Sequence, residues 1–338
     1  MTRLSGRSAT LYGAVLVVGI ACGFALRGYT STNELSVQVI REPQGKYTFI
    51  NPLIGFSVGS KEDFEEYVGL ERTLQATIAS LQKKQKVHSA SVYFRDMESG
   101  RWTGVNEEDL YSPASLYKVA LMIAVLKYDE DNPDALEKHL TFTESRQSER
   151  LDYPPMKRGT YSVRELLDRL IRLSDNDAKD VLRDFVGAEA VSSVFTALRL
   201  AEPALSDVGD TMSARTYSRF FRTLYNSSYL NRNDSEYALR LLSQVGFKSG
   251  LVNGLPPEAR TLPIAHKFGY RVVNDPTDSV TEELHDCGIV YLPSNPYFIC
   301  IMTKGSNQND LLDAIQLLSR VAYDAAIARK STPSAPKS

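Results

Sequence analysis

Eight uncharged apolar residues run from Val119 to Leu126, and a single lysine, Lys118, stands at the mouth of that run. A helix that is apolar on every side has no face to give to water, so it must lie inside the molecule. The sequence therefore has to build a shell around this segment. Pro113 and Ala114 precede it, as they would a helix start. In Ser115-Leu116-Tyr117-Lys118 the first and last residues are three apart and share a helix face, which sets a hydroxyl beside an amine. A serine needs a neighbour to take its proton before it can attack a carbonyl, and a lysine in a dry site can be neutral enough to do so. The helix N-terminus adds positive potential where negative charge would develop. Taken alone, Ser-x-x-Lys is a common tetrapeptide and usually a solvated helix face.

The chain has 338 residues, enough for one or two domains with a sizeable core. Its 43% hydrophobic and 24% charged residues are ordinary for a globular protein. A net charge of −2 gives no reason to expect nucleic acid. His88, His139, His266 and His285 are scattered, and no Cys/His cluster has metal-ligand spacing, so neither metal nor cofactor is expected. Nothing signals oligomerisation, and a monomer is expected.

Arg3 and Arg7 precede the uncharged run Leu11–Leu26. That pattern reads as a signal anchor or a cleaved signal peptide, with Gly23-Phe24-Ala25 as a cleavage site. We adopt the anchor, with residues 1–9 as a cytoplasmic tail, 10–27 in the membrane and the bulk of the chain outside the cytoplasm. Residues 28–60 read as a juxtamembrane linker with strand-like pieces at Leu35–Ile40 and Tyr47–Ile50, 61–330 as the main folded domain, and 331–338 as a disordered tail. Cys287 and Cys300 lie on two apolar runs joined by Pro293-Ser294-Asn295-Pro296. They admit a disulfide across that hairpin, but two small buried thiols are the expectation.

Helical spacing marks Glu62–Gln85, Ser162–Arg172, Ala188–Leu198, Ala214–Leu224, Ser235–Gln244 and Asp310–Ala328. Strands are read at Ser89–Asp96 and Arg101–Val105, and late in the chain at Ile264–Phe268, Cys287–Tyr291 and Tyr297–Thr303. The order predicts an α+β fold. Strands from both ends form one antiparallel sheet, the terminal helices cover it, and the central helices form an all-α lobe. The crevice between sheet and lobe is the natural place for a site.

Two later segments matter there. Ser174-Asp175-Asn176 follows a helix and alone reads as a capping turn. His266-Lys267-Phe268-Gly269 ends a strand-like run and alone reads as a strand edge. In the order Ser-x-x-Lys, Ser-Asp-Asn, Lys-x-Gly, the three together resemble the active-site-serine penicilloyl enzymes, class A β-lactamases and related penicillin-binding proteins. The similarity runs from about Leu74 to Ala326 and takes in the Tyr93–Trp102 hairpin and Gly250–Pro256. It implies a five-stranded β-lactamase/transpeptidase-like fold and a substrate that is a β-lactam or a peptidoglycan stem peptide. Ser115 would be the acylated nucleophile and Lys118 its proton acceptor. Ser174 would relay a proton to the leaving nitrogen and Asn176 would bind the substrate acylamide. Lys267 would supply positive charge, Gly269 completes the third motif, and the N–H groups of Ser115 and Tyr270 would form the oxyanion hole.

Two departures stand out. Phe268 occupies the place of a hydroxyl that would bind the substrate carboxylate. The glutamate that activates water in class A enzymes lies in a Glu-x-x-Leu-Asn pattern. Glu202-Pro203-Ala204-Leu205-Ser206 imitates it on a shortened loop, with Ser206 for the asparagine. Glu202 is thus a candidate base for acyl release, set against the plainer reading of an exposed loop glutamate before a proline. The implied activity is β-lactam hydrolysis; the alternative is a D,D-peptidase, and a non-catalytic cell-wall binding module is a third reading.

Overall fold

The computed structural model describes residues 35–41, 47–60, 65–145, 154–202, 212–274, 280–293 and 295–330. The expected tail, anchor and disordered terminus (1–9, 10–27 and 331–338) lie outside the described residues. Among the described residues no helix is long and apolar enough to cross a membrane. The chain divides into a small unit, Met1–Gln38 with Phe56–Asp63, and a large one, Val39–Gly55 with Phe64–Ser338. The main sheet, the helices and the site belong to the large unit.

In chain order, β1 (Leu35–Arg41) and β2 (Leu53–Ser60) pair with each other. Helix α1 (Glu65–Lys83) leads to the hairpin β3 (Ser89–Asp96) and β4 (Trp102–Val105). A short β5 (Leu110–Tyr111) precedes a 3₁₀ turn, Ala114–Tyr117, which runs into α2 (Lys118–Asp131). The hairpin β6 (His139–Phe142) and β7 (Gly159–Ser162) is followed by α3 (Val163–Asp168) and a π-helical turn, Arg169–Leu173. Next come α4 (Asn176–Val186), α5 (Ala188–Ala197), β8 (Met212–Ser213), α6 (Ala214–Asn226) and α7 (Arg232–Ser243). One-turn α8 (Leu251–Gly254) precedes β9 (Ile264–Asn274), β10 (Val280–Val290), β11 (Tyr297–Gly305) and α9 (Gln308–Lys330).

The five-stranded sheet has the order β4-β3-β11-β10-β9, and every neighbouring pair is antiparallel. It joins the two early strands to the three late ones, as the sequence predicts. Side chains alternate between its faces. Leu284, Val290, Ile299 and Ile301 pack with Leu70, Leu74 and Ile78 of α1 and Leu311, Ile315 and Leu318 of α9. Cys287, Ile289, Phe298, Cys300 and Met302 face the other way, into the core that surrounds α2. Every residue from Leu116 to Leu126 is buried. The apolar run is the hub of the helical lobe.

Three expectations need correction. Cys287 stands directly opposite Cys300 in the β10–β11 register, and the two form a disulfide rather than a pair of free thiols. Tyr47–Ile50 is not a strand: the Glu236 carboxylate accepts the N–H groups of Thr48, Phe49 and Ile50 at 2.9, 2.9 and 3.1 Å, so these donors need no ladder. Nor is that stretch a free linker, since Phe49 and Ile50 are buried in the main core and Arg41 donates to the Met97 carbonyl and to Asn226. Helix α4 was not foreseen. Between its charged residues, Ala178 and Leu182 are buried in the main core, and Val181, Phe185 and Val186 pack against it at helical spacing.

Candidate active site

The turn that carries Ser115 is braced from below. Ser112 donates its N–H to Glu283 Oε2 at 2.8 Å and accepts at its carbonyl from His285 Nε2 at 2.9 Å. Thr303 N–H donates to His285 Nδ1 at 3.3 Å, so the ring bridges β11 and the Ser112 carbonyl. Arg271 adds a bond to Ser112 Oγ at 3.1 Å. Ala114 then takes a left-handed conformation, φ 45°, a strained setting for a residue with a Cβ. The turn closes with Leu116 N–H on the Pro113 carbonyl at 2.8 Å. Ser115 lies within this 3₁₀ turn, three residues before Lys118, which opens α2.

Lys118 is 2% exposed. Its Nζ donates to the Ser174 carbonyl, to Ser174 Oγ at 3.1 Å and to Asn176 Oδ1 at 2.6 Å. Burial pulls its pKa well below the ordinary lysine value, and the charges of Lys267 and Lys179 act in the same direction; Asp175 and Asp180 oppose them. The amine is thereby moved toward the neutral form a proton acceptor needs.

Ser174 reaches this amine through unusual backbone. The π-turn ends on it, and it sits in the left-handed region at φ 58°. Asp175 then caps α4, accepting from Asp177 N–H at 2.9 Å and Ala178 N–H at 3.2 Å, while Arg169 Nε holds its other oxygen at 2.6 Å. The capping reading thus holds for the middle residue of Ser-Asp-Asn. The cap aims the residues on either side at Lys118.

Lys267, on β9, is fully buried. It donates to Ser174 Oγ at 2.8 Å and to the Phe268 carbonyl at 2.9 Å. Burial lowers its pKa to about 7, against the pull of Asp286. Asp286 is itself buried, with Oδ1 on His266 Nδ1 at 2.8 Å and Oδ2 accepting Leu251 N–H at 2.9 Å. The Phe268 ring lies under Lys267 Nζ, 4.2 Å from its centroid, and stacks on Phe247 at 4.2 Å. Gly269 is where β9 meets the serine turn: a Cβ there would lie 2.8 Å from the Pro113 carbonyl oxygen and 3.3 Å from Leu116 N. Only glycine permits that approach. The Tyr270 side chain leaves the site to donate to Glu282 at 3.1 Å, so any part it plays here is through its backbone.

The structure thus gathers Lys118, Ser174, Asn176 and Lys267 into one hydrogen-bonded cluster, with the turn bearing half-buried Ser115 against β9. Glu202 is not in that cluster. It is exposed, and its carboxylate accepts from Ser192 on α5. Sequence reasoning missed the supports Glu283, His285 and Asp286. Their signal was a run of ionisable residues, Glu282-Glu283-Leu284-His285-Asp286, leading into the apolar, buried stretch Cys287–Val290 of the same strand.

Residues 70–326 match the β-lactamase enzyme family, which is most of the chain. The chain belongs to that family. A β-lactamase of Bacteroides uniformis is 23% identical over 251 residues, covering 68% of this chain and 83% of that protein. Among solved structures, a β-lactamase from Chitinophaga pinensis superposes with a TM-score of 0.66 at 20% identity, over 75% of this chain and 99% of that one. A PBP-A mutant, solved as an acyl-enzyme with penicillin G, superposes with a TM-score of 0.64 at 21% identity, over 76% and 96%. These likenesses are of fold. Both β-lactamases and a penicillin-binding protein share it, and the chemistry must be argued from the side chains.

Proposed function

We propose that this protein opens β-lactam amides through an acyl-serine on Ser115. The observation that carries the reading is the convergence of two buried lysines on one hydroxyl, Ser174 Oγ, at 3.1 and 2.8 Å. Lys118, as the neutral amine, takes the proton of Ser115 as its Oγ bonds to the amide carbon. The C–N bond then breaks, and Ser174 gives its proton to the departing nitrogen, replenished from the lysines. The N–H groups of Ser115 and Tyr270 receive the oxyanion, each worth about 2.7–4 kcal/mol of barrier. Asn176 holds the acylamide. Lys267 attracts the substrate carboxylate without help from a hydroxyl at Phe268. Incubation with a labelled penicillin tests this: a mass adduct on Ser115 is expected, and no adduct, with no loss on Ser115→Ala, refutes it.

Release of the acyl group separates two readings. Hydrolysis calls on Glu202 to activate water, and Glu202 must first give up Ser192. A peptidoglycan D,D-peptidase uses the same attack on a stem peptide and tolerates a long-lived penicilloyl adduct. Phe268 and the outward Glu202 favour that second reading. Rapid turnover of the label supports hydrolysis, and a persistent adduct supports the peptidase.

We further propose that residues 10–27 anchor the protein with the site outside the cytoplasm. The arginine-flanked apolar run supports this, and so does the Cys287–Cys300 disulfide, which suits an oxidising compartment. Protease accessibility of the catalytic domain in intact spheroplasts tests it; full protection refutes it.

A further inference from the structure

Side chains alternate along a strand between the two faces of the sheet. On β10, Leu284 and Val290 belong to the core packed by α1 and α9, whereas Cys287 and Ile289 belong to the core around α2. Asp286 falls with the first group. On β9, His266 falls with Ile264 in that same core, and Lys267 falls with Ala265 on the other side. Asp286 and His266 therefore lie behind the sheet as seen from Lys267. Desolvating a carboxylate there is expensive. Both of its oxygens are held, Oδ1 on His266 Nδ1 at 2.8 Å and Oδ2 by Leu251 N–H at 2.9 Å.

That hold leads back to the site through loop 246–250. At one end of the loop, the place a Gly250 Cβ would take lies 2.5 Å from Asp286 Oδ2 and 2.9 Å from Phe247 Cε1, so carboxylate, backbone and ring are packed together. Phe247 stacks on Phe268 with centroids 4.2 Å apart, and the Phe268 ring lies 4.2 Å from Lys267 Nζ. β9 is an outer strand of the sheet, so these side chains can meet around its edge. At the other end, Gly246 N–H donates to the Arg172 carbonyl at 3.0 Å, in the π-turn that ends on Ser174. α9 clamps the outside: Gln316 Nε2 donates to the Ser249 carbonyl at 2.7 Å and Ser319 Oγ to the Leu251 carbonyl at 2.9 Å. One loop thus touches the turn that carries Ser174 and the ring beside Lys267, the two groups that meet at 2.8 Å.

We propose that Asp286 and Phe247 are positioning residues for the serine site: Asp286 fixes loop 246–250 from behind the sheet, and the loop fixes Lys267 Nζ against Ser174 Oγ. This rests on the acyl-serine reading and adds to it a part that lies outside the three motifs. Lys267 and Ser174 come from different elements, and an error of 1 Å in such a geometry can cost about 100-fold in rate.

The test is a double-mutant cycle on the full chain, read as the rate at which a labelled penicillin acylates Ser115. Asp286→Ala frees the loop and Phe247→Leu removes the stack. Each should slow acylation about tenfold, the effect of roughly half an ångström. The double variant should be no slower than the slower single, because both act through one bridge; independent effects would multiply to about 100-fold. Asp286→Asn keeps an acceptor for Leu251 N–H and should stay within about threefold of wild type. Ile78→Val, in the same core, lowers Tm and should acylate as wild type, which separates position from stability. Hydrogen exchange reads the bridge without substrate: in Asp286→Ala the N–H groups of Leu251 and Gly246 should lose protection together, and in Ile78→Val they should not. Acylation by Asp286→Ala within about twofold of wild type, multiplicative effects in the cycle, equal slowing in Ile78→Val, or protection kept at Gly246 but lost at Leu251 each overturn the proposal. No adduct on wild type overturns the acyl-serine reading instead, and hydrogen exchange then decides the bridge by itself. Should Asp286→Ala fail to fold, Gln316→Ala, which frees Ser249 of the same loop, takes its place in the cycle under the same criteria.

Discussion

Gly269→Ala should damage the serine turn without altering the chemistry of any catalytic side chain. The added Cβ would sit 2.8 Å from the Pro113 carbonyl oxygen, 3.2 Å from Leu116 Cγ and 3.3 Å from Leu116 N. Ordinary contact begins near 3.4 Å, so the first of these falls about 0.6 Å short. Backbone forms both sides of the closest contact, and no flexible side chain can swing away. Relief must come from moving β9 or the turn. The Pro113 oxygen also accepts Leu116 N–H, so pushing it opens the 3₁₀ turn that carries Ser115. Gly269 has no positive φ, so alanine adds no backbone strain of its own and the effect is purely steric. Overpacking of this kind costs about 1–3 kcal/mol. The stiffer unfolded chain returns roughly 0.4–1 kcal/mol. A net loss of about 1–2 kcal/mol should lower Tm by several degrees. A misplacement of 1 Å can cost about 100-fold in rate, so half that distance predicts about tenfold slower acylation. Thermal melts and quenched-flow mass spectrometry with a labelled penicillin measure both. Acylation within twofold of wild type would refute the claim that Gly269 is there to let strand and turn meet.

Other outcomes follow from the same geometry. Lys267 has a pKa of about 7 in the fold against 10.5 in the free chain, so between those values the unfolded state binds more protons and stability rises with pH. Lys118 acts in the same direction; melts from pH 7 to 9.5 should climb, and Lys267→Met should flatten them. Over that range Lys267 also loses its charge, so affinity for a carboxylate-bearing substrate should fall as pH rises above 7, and a flat affinity profile counts against its role. Glu202→Gln should leave acylation intact and cut turnover at least about tenfold; unchanged turnover removes Glu202 from the mechanism. Reduction of Cys287–Cys300, 13 residues apart in sequence, should remove about 3 kcal/mol, read as a lower Tm in dithiothreitol. No change, with both thiols titrated as free, would show that the bond contributes nothing.

The sequence by itself determined the burial of Val119–Leu126, the strand-first and strand-last order, and the three short motifs. These follow from local rules: an all-apolar helix must be enclosed, alternation and turn residues mark strands, and residues three apart share a face. It also placed the helix boundaries of α5 within one residue at each end. It did not reveal α4, although Ala178, Val181, Leu182, Phe185 and Val186 recur at helical spacing and pack on the main core; the Ser-Asp-Asn turn at its start drew the reading to a cap instead. It left Cys287 and Cys300 as thiols, since the choice depends on strand register, which brings them directly opposite only once β10 and β11 are paired. Only the tertiary structure decided that Ser174 touches both lysines, that Asp286 is buried against His266 and the Leu251 N–H, that Phe268 stacks on Phe247, and that Glu202 bonds to Ser192. Ser115, Ser174 and Lys267 lie on separate elements, each of which closes a long loop before it meets the others. Spacing along the chain reports on neighbours within one element; contacts between elements arise from packing, and so does the downward pull of burial on the pKa of Lys118 and Lys267.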